Sequence, residues 1–150
     1  MSGGSKPPAL FLIWPEGRDA MIAVDRLCEA EGLSLRSLEL VRLWCSVLNR
    51  CDFCIAMHGE LAMTAGVAPE VVEAIAERRD MRGLGDSERA LLGLASAMTG
   101  LGNIAALPAA MQSMAQHFEE RETALFSYAI AQINAWNRLA LASEAMTASD

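Results

Sequence analysis

Apolar residues recur along most of this chain three or four positions apart, the spacing of one helix face, and Pro and Gly cut the pattern into segments. From Asp19 to Ala30, Met21, Val24, Leu27 and Cys28 follow the i, i+3, i+4 rule, and Glu31-Gly32 supplies a stop. Ser34 is a good N-cap for a second helix, in which Leu35, Leu38, Val41, Leu43, Trp44, Val47 and Leu48 lead to an Asn49-Arg50 junction. That helix is apolar on more than one side, which places it at the centre of its domain. A third helix is predicted from Cys51 or Asp52 through His58 to Thr64, and a fourth from Pro69, its first helical position, through Arg79. Arg82 to Asp86 reads as a loop, Asp86-Ser87-Glu88 opens a fifth helix to about Thr99, and Pro108 starts a short sixth. The last helix runs from Glu119 or Arg121 to Ala145, with Ala124, Leu125, Tyr128, Ile130, Ile133, Trp136, Leu139 and Leu141 as a broad apolar face.

No stretch alternates apolar and polar residues as a half-buried strand would, and no segment repeats at a fixed period. The expected fold is all-α, one domain over residues 1–150 with six to seven helices, residues 1–18 forming an N-terminal extension. The apolar run in that extension, Ala9 to Trp14, ends at Pro15 and is too short for a signal-peptide core or a spanning helix.

Charge narrows the partners. The net charge of -7 and the scattering of the 12 basic residues, of which only Arg78 and Arg79 adjoin, argue against a nucleic-acid partner and against an anionic membrane surface. With no export signal visible, the expected compartment is the cytoplasm, where thiols stay reduced and a close Cys pair is more often catalytic or metal-binding than a staple.

Cys51 and Cys54 form such a pair. Three apart at the first turn of a helix, they share a face, lie within disulfide reach, and sit where unpaired amides favour a thiolate. His58, four residues past Cys54, falls on the same stripe and is placed to exchange a proton with a thiol. Two thiolates and an imidazole also suit zinc, but a closed site needs a fourth ligand. Cys28 and Cys45 lie in apolar stretches and His117 in another helical segment, so no metal is expected, and Cys28 and Cys45 are read as small buried hydrophobes. The nine methionines read as core filling. No glycine-rich strand-to-helix turn is present, so neither a nucleotide nor a flavin cofactor is expected.

Glu39 lies between Leu38 and Leu40, and its ordinary reading is a solvated face shared with Arg36 and Arg42. On one continuous helix it would stand roughly 18 Å along the axis from position 51. A chain reversal at Asn49-Arg50 would instead return His58 to about one turn from Glu39, so both readings stand.

Glu39, twelve positions before Cys51, followed by Cys51-x-x-Cys54-x-x-x-His58 in an all-helical chain, resembles the alkylhydroperoxidase D-like (AhpD-like) group of the carboxymuconolactone decarboxylase superfamily. The likeness is strongest from Leu35 to about Met63, and the closing helix with Asn134-Ala-Trp-Asn137-Arg138 looks like that group's C-terminal region. The resemblance implies a helical-bundle homo-oligomer, trimer or hexamer, and a cytoplasmic thiol peroxidase or disulfide oxidoreductase. In it Cys54 would be the deeper, activated thiol, Cys51 the more exposed one facing a partner's disulfide, and Glu39 and His58 a proton relay through water. A peroxide or disulfide would be the substrate, and an external thiol or redox partner protein the reductant. One departure stands out: the best-known members carry a second histidine where this chain has Phe53, which cannot move a proton. Two other classes remain beside this reading, a non-enzymatic helical oligomer with a redox-sensing CxxC and, further off, a decarboxylase-like lyase. Retention of both cysteines argues for redox chemistry over the lyase.

Overall fold

In the computed structural model, which describes residues 6–79 and 81–148, eight α-helices follow one another: α1 (Ala9–Ile13), α2 (Pro15–Ala30), α3 (Leu35–Leu48), α4 (Asp52–Thr64), α5 (Pro69–Ala76), α6 (Asp86–Thr99), α7 (Leu107–Ala115) and α8 (Glu120–Thr147). A 3-10 segment over Leu101–Ala106 leads into α7, and no strand occurs among the described residues. None of these helices is long and apolar enough to cross a membrane.

That the second predicted helix is apolar on more than one side finds its cause in α3, which packs against α4, α5, α6 and α8 at once. Leu38, Leu40, Val41, Leu43 and Cys45 are wholly buried there, on several sides of the helix. Ser34 starts α3 as its chemistry predicts, its hydroxyl accepting from the Ser37 amide at 3.3 Å. α8 runs across the bundle and buries Phe126, Ile130, Ile133, Asn137 and Ala140, a stripe spaced four and three apart. Tyr128, two residues from Phe126 and so on the far side of the helix, is exposed rather than part of that face.

Several boundaries differ from expectation. The segment read as an extension is helical on either side of Trp14: α1 lies against α8, and Pro15 begins α2, because proline at N1 forfeits no helical hydrogen bond. Of the apolar set predicted for the first helix, Cys28 is buried and Met21 and Val24 partly so, whereas Leu27 points outward; Arg18, Ile22, Asp25 and Glu29 form a second stripe that lines a cavity. α5 stops at Ala76 rather than Arg79, where Arg78 adopts a left-handed φ of 53° and sends its guanidinium to the Val47 carbonyl at 2.9 Å. His117 lies in the turn after α7. Among the described residues the α-helices accordingly number eight, where about six to seven were expected.

The element that positions the chemistry is the corner between α3 and α4. Arg50 takes a φ of 58°, a left-handed conformation that reverses the chain. Asn49, at the α3 C-cap, donates through Nδ2 to Asn134 Oδ1 at 2.9 Å and Asn137 Oδ1 at 3.0 Å on α8. Asn137 Nδ2 in turn donates to Ser46 Oγ at 3.0 Å. Buried amides are costly unless paired, so these paired ones fix the corner against α8.

Candidate active site

Cys51 is the N-cap of α4 and Cys54 its third residue, joined as a disulfide with Cα atoms 5.2 Å apart. The Cys51 sulfur accepts from the Cys54 amide at 3.4 Å, in the place an N-cap oxygen would occupy. When the pair is reduced, Cys54 lies in the first turn of α4, where free amides and the helix dipole favour a thiolate.

Because the corner reverses the chain, α4 returns along α3 and the relay partners meet. His58 Nδ1 lies 2.8 Å from Glu39 Oε2, and both side chains are buried. Glu39 is thus no part of a solvated face, and neither is Arg42, whose Nη1 donates to Glu39 Oε1 at 2.6 Å and Glu29 Oε1 at 2.9 Å. Burial acts to raise the Glu39 carboxyl, but the hydrogen bonds and charge attraction of His58 and Arg42 outweigh it and hold the group below its ordinary range. An ionised carboxylate only accepts hydrogen bonds, so it fixes Nδ1 of His58 as the donor and leaves Nε2 as the ring's free acceptor.

That second nitrogen faces a cavity of about 310 Å³. His58 lines the cavity with Cys54, Phe53 and Met57 of α4, and Ile133 and Trp136 of α8 close another wall. Phe11 and the Arg18, Ile22, Asp25, Glu29 stripe complete it, with Arg42. Among the described residues every buried side-chain nitrogen and oxygen has a hydrogen-bond partner, and His58 Nε2 has none, so Nε2 must be open to this space. Asp25 is held to the wall by Trp136, whose Nε1 donates to Oδ2 at 2.8 Å; burial raises the Asp25 carboxyl despite that bond. Phe53, standing where a second histidine would be expected, makes its part of the wall apolar.

Both cysteines are buried, so the expected difference in exposure between them is not found. Cys51, expected to be the more exposed, has 0% of its surface accessible, and it is Cys54, at 2%, that lines the cavity. The cause is tertiary: Cys51, Cys54 and Ala140 form one buried cluster against which Phe11, Phe53 and Leu141 pack, so α1 and α8 together cover the corner. The Leu10 amide, donating to Ser143 Oγ at 3.0 Å, ties α1 down over it.

Cys28 and Cys45 are free thiols and buried, as expected. Burial pushes the Cys45 thiol up to about 12. Among the described residues no group of three or more His, Cys, Asp or Glu side chains is arranged to hold a metal ion. Asp25 and Arg42 were not anticipated as site residues; the one signal for Asp25 is its place in the Arg18, Ile22, Asp25, Glu29 stripe at helical spacing.

The profile described as the carboxymuconolactone decarboxylase family matches residues 15–97, more than half of the chain and all of α2, α3, α4 and α5. An uncharacterised protein of Bacillus subtilis (strain 168), YdfG, is 24% identical over 138 residues, spanning 92% of this chain and 94% of its own. A solved structure from Agrobacterium tumefaciens superposes with a TM-score of 0.84 at 29% identity, covering 91% of this chain and 93% of that one. It is a protein of unknown function suggested to be the antioxidant defence protein AhpD. An uncharacterised peroxidase-related protein from Silicibacter sp. TM1040 shares the fold, with a TM-score of 0.71 at 19% identity over 90% of this chain and 72% of that one.

Proposed function

Since the chain belongs to the carboxymuconolactone decarboxylase family and has the AhpD-like helical fold, we propose that it is a thiol-dependent peroxidase in which Cys54 attacks the peroxide and Cys51 resolves the product. The observation that carries this reading is His58: Nδ1 bonded to a buried carboxylate at 2.8 Å, and Nε2 open to the cavity that Cys54 lines. A merely structural disulfide has no use for such a relay.

In the cycle, His58 Nε2 takes the proton of the Cys54 thiol, and Glu39 balances the imidazolium charge. The thiolate attacks the nearer peroxide oxygen; an S–O bond forms, the O–O bond breaks, and the leaving oxygen receives the proton from His58. Cys54 is then a sulfenic acid, oxidised by two electrons. The Cys51 thiol attacks that sulfur, an S–S bond forms and water departs. An external thiol attacks the disulfide and a second completes the reduction, returning two electrons and two protons as the external thiols form their own disulfide. Because Cys54 and not Cys51 borders the cavity, that reductant enters on the Cys54 side. The subunit works in a thiol-reducing compartment such as the cytoplasm, as a homo-oligomer of the kind the family resemblance implies.

The test is hydroperoxide consumption by the reduced protein with dithiothreitol as reductant. Turnover by wild type and its loss in Cys54→Ser are expected. Reversible thiol cycling without any consumption of cumene hydroperoxide or hydrogen peroxide would replace the enzyme with a redox-sensing oligomer.

A further inference from the structure

Arg42 has an unusual hydrogen-bond distribution for a buried arginine. A guanidinium commonly grips a carboxylate with two parallel N–H groups. Here Nη1 alone serves both Glu39 and Glu29, while Nη2 has no hydrogen-bond acceptor among the described residues. Asp25 Oδ1 stands 3.9 Å from Nη2, beyond hydrogen-bonding distance. Asp25 is kept there by Trp136, which engages its other oxygen at 2.8 Å. Since no buried side-chain nitrogen among the described residues lacks a partner, Nη2 is not enclosed: it opens on the cavity that Arg42 lines beside Cys54 and His58.

Three carboxylates, from Asp25, Glu29 and Glu39, surround this one cation, so its charge is compensated whether or not a ligand is bound. A site built only to neutralise Glu39 would have no reason to leave half of the fork directed at the chamber that Cys54 and His58 line. We propose that Arg42 is a catalytic residue, its Nη2 group binding the hydroperoxide oxygens in the cavity and stabilising the negative charge that develops on the leaving oxygen. This rests on the peroxidase reading and adds to it an oxygen-binding group that the thiol and the relay do not supply. The step is the one written above: the S–O bond forms on Cys54 and the O–O bond breaks. The departing alkoxide lies against Nη2 until the proton from His58 makes it an alcohol. Fixed donors aimed at developing charge in a water-poor site are the most effective electrostatic catalysts.

Two reactions of the same thiolate separate this role from a structural one. Reduced wild type and Arg42→Lys are compared for oxidation of Cys54 by cumene hydroperoxide and for its alkylation by iodoacetamide across pH. Alkylation needs the thiolate but creates no oxyanion. The lysine keeps the charge near Glu39 and loses the fork, so oxidation is expected to fall at least about tenfold while the alkylation rate and its pH profile stay within about twofold. Parallel losses in both reactions would overturn the proposal, since Arg42 would then act only by holding Glu39. Unchanged oxidation would overturn it too. Should Arg42→Lys fail to fold, Trp136→Phe decides, because it frees Asp25 to close on Nη2: a loss confined to oxidation supports the proposal, and an unchanged ratio of the two rates overturns it. A wild type that alkylates normally but consumes no hydroperoxide removes the peroxidase reading itself, a result distinct from an active wild type matched by Arg42→Lys.

Discussion

Cys45 and Cys54 are both almost sealed from solvent, at 0% and 2% exposure, yet their surroundings have opposite consequences for a thiol. Cys45 lies in the middle of α3 among apolar side chains, where the helical amides are engaged and, among the described residues, the side-chain donor to its sulfur is the Thr99 hydroxyl at 3.5 Å. Burial there penalises the thiolate and pushes the group up to about 12. Cys54 sits in the first turn of α4 and lines the same cavity as an imidazole whose far nitrogen is tied to a carboxylate. In the proposed cycle, reactivity therefore follows from what faces the sulfur, namely a helix start, a base and a cavity, and not from how much of the residue is exposed.

The sharpest way to break that contrast is to exchange the two sulfurs' fates. Cys54→Ser is expected to reduce dithiothreitol-driven peroxide turnover on the order of a hundredfold or more, to the level of free dithiothreitol. Cys45→Ala should leave turnover within about twofold. Steady-state assays of both variants check this, and comparable losses would mean that the α3 thiol takes part in the chemistry.

The next effect belongs to the relay. Glu39→Gln keeps the size of the side chain but removes the charge that fixes His58, and turnover is expected to fall roughly ten- to a hundredfold. The same substitution tests the electrostatics through stability. Glu39 is held below its ordinary carboxyl value in the fold, so its contribution is present above the unfolded value near 4.5 and is lost as pH falls through the folded one. Acid unfolding followed by circular dichroism should be steeper with falling pH in wild type than in Glu39→Gln. Equal slopes would mean that Glu39 is not ionised against His58 and Arg42.

How much of this was legible in the sequence depended on chain distance. Cys51, Cys54 and His58 share one helix, so their common face followed from 3.6 residues per turn alone. Glu39 was half legible: its contact with His58 requires the reversal at Arg50, and Asn49 secures that reversal through Asn134 and Asn137, more than eighty residues away. Arg42 and Asp25 were not legible, because a charged residue on a helix ordinarily faces water and nothing local says that α2 and α3 turn these charges toward each other. The burial of Cys51 was misread for the same reason. What covers it, together with α8, is α1, five residues long and too short to be stable alone, held down by an α8 hydroxyl 133 positions later.

The smallest effect on turnover returns to Cys45 and asks whether its seclusion, like the proposed activation of Cys54, has a measurable cost in protons. Its thiol titrates from 9.0 when unperturbed and from about 12 in the fold, so the unfolded chain ionises first. The sign follows: stability is undiminished below pH 9.0, and declines as pH rises toward about 12 because the unfolded state gains a charge that the folded state refuses. Cys45→Ala removes that alkaline decline and, by deleting one buried sulfur, costs about 1 kcal/mol at neutral pH. Urea unfolding at pH 7 and pH 10 measures both: the variant starts lower and loses less on going to the higher pH. If the two proteins lose the same amount, the thiolate is tolerated inside α3, and burial is not what separates the silent cysteine from the reactive one.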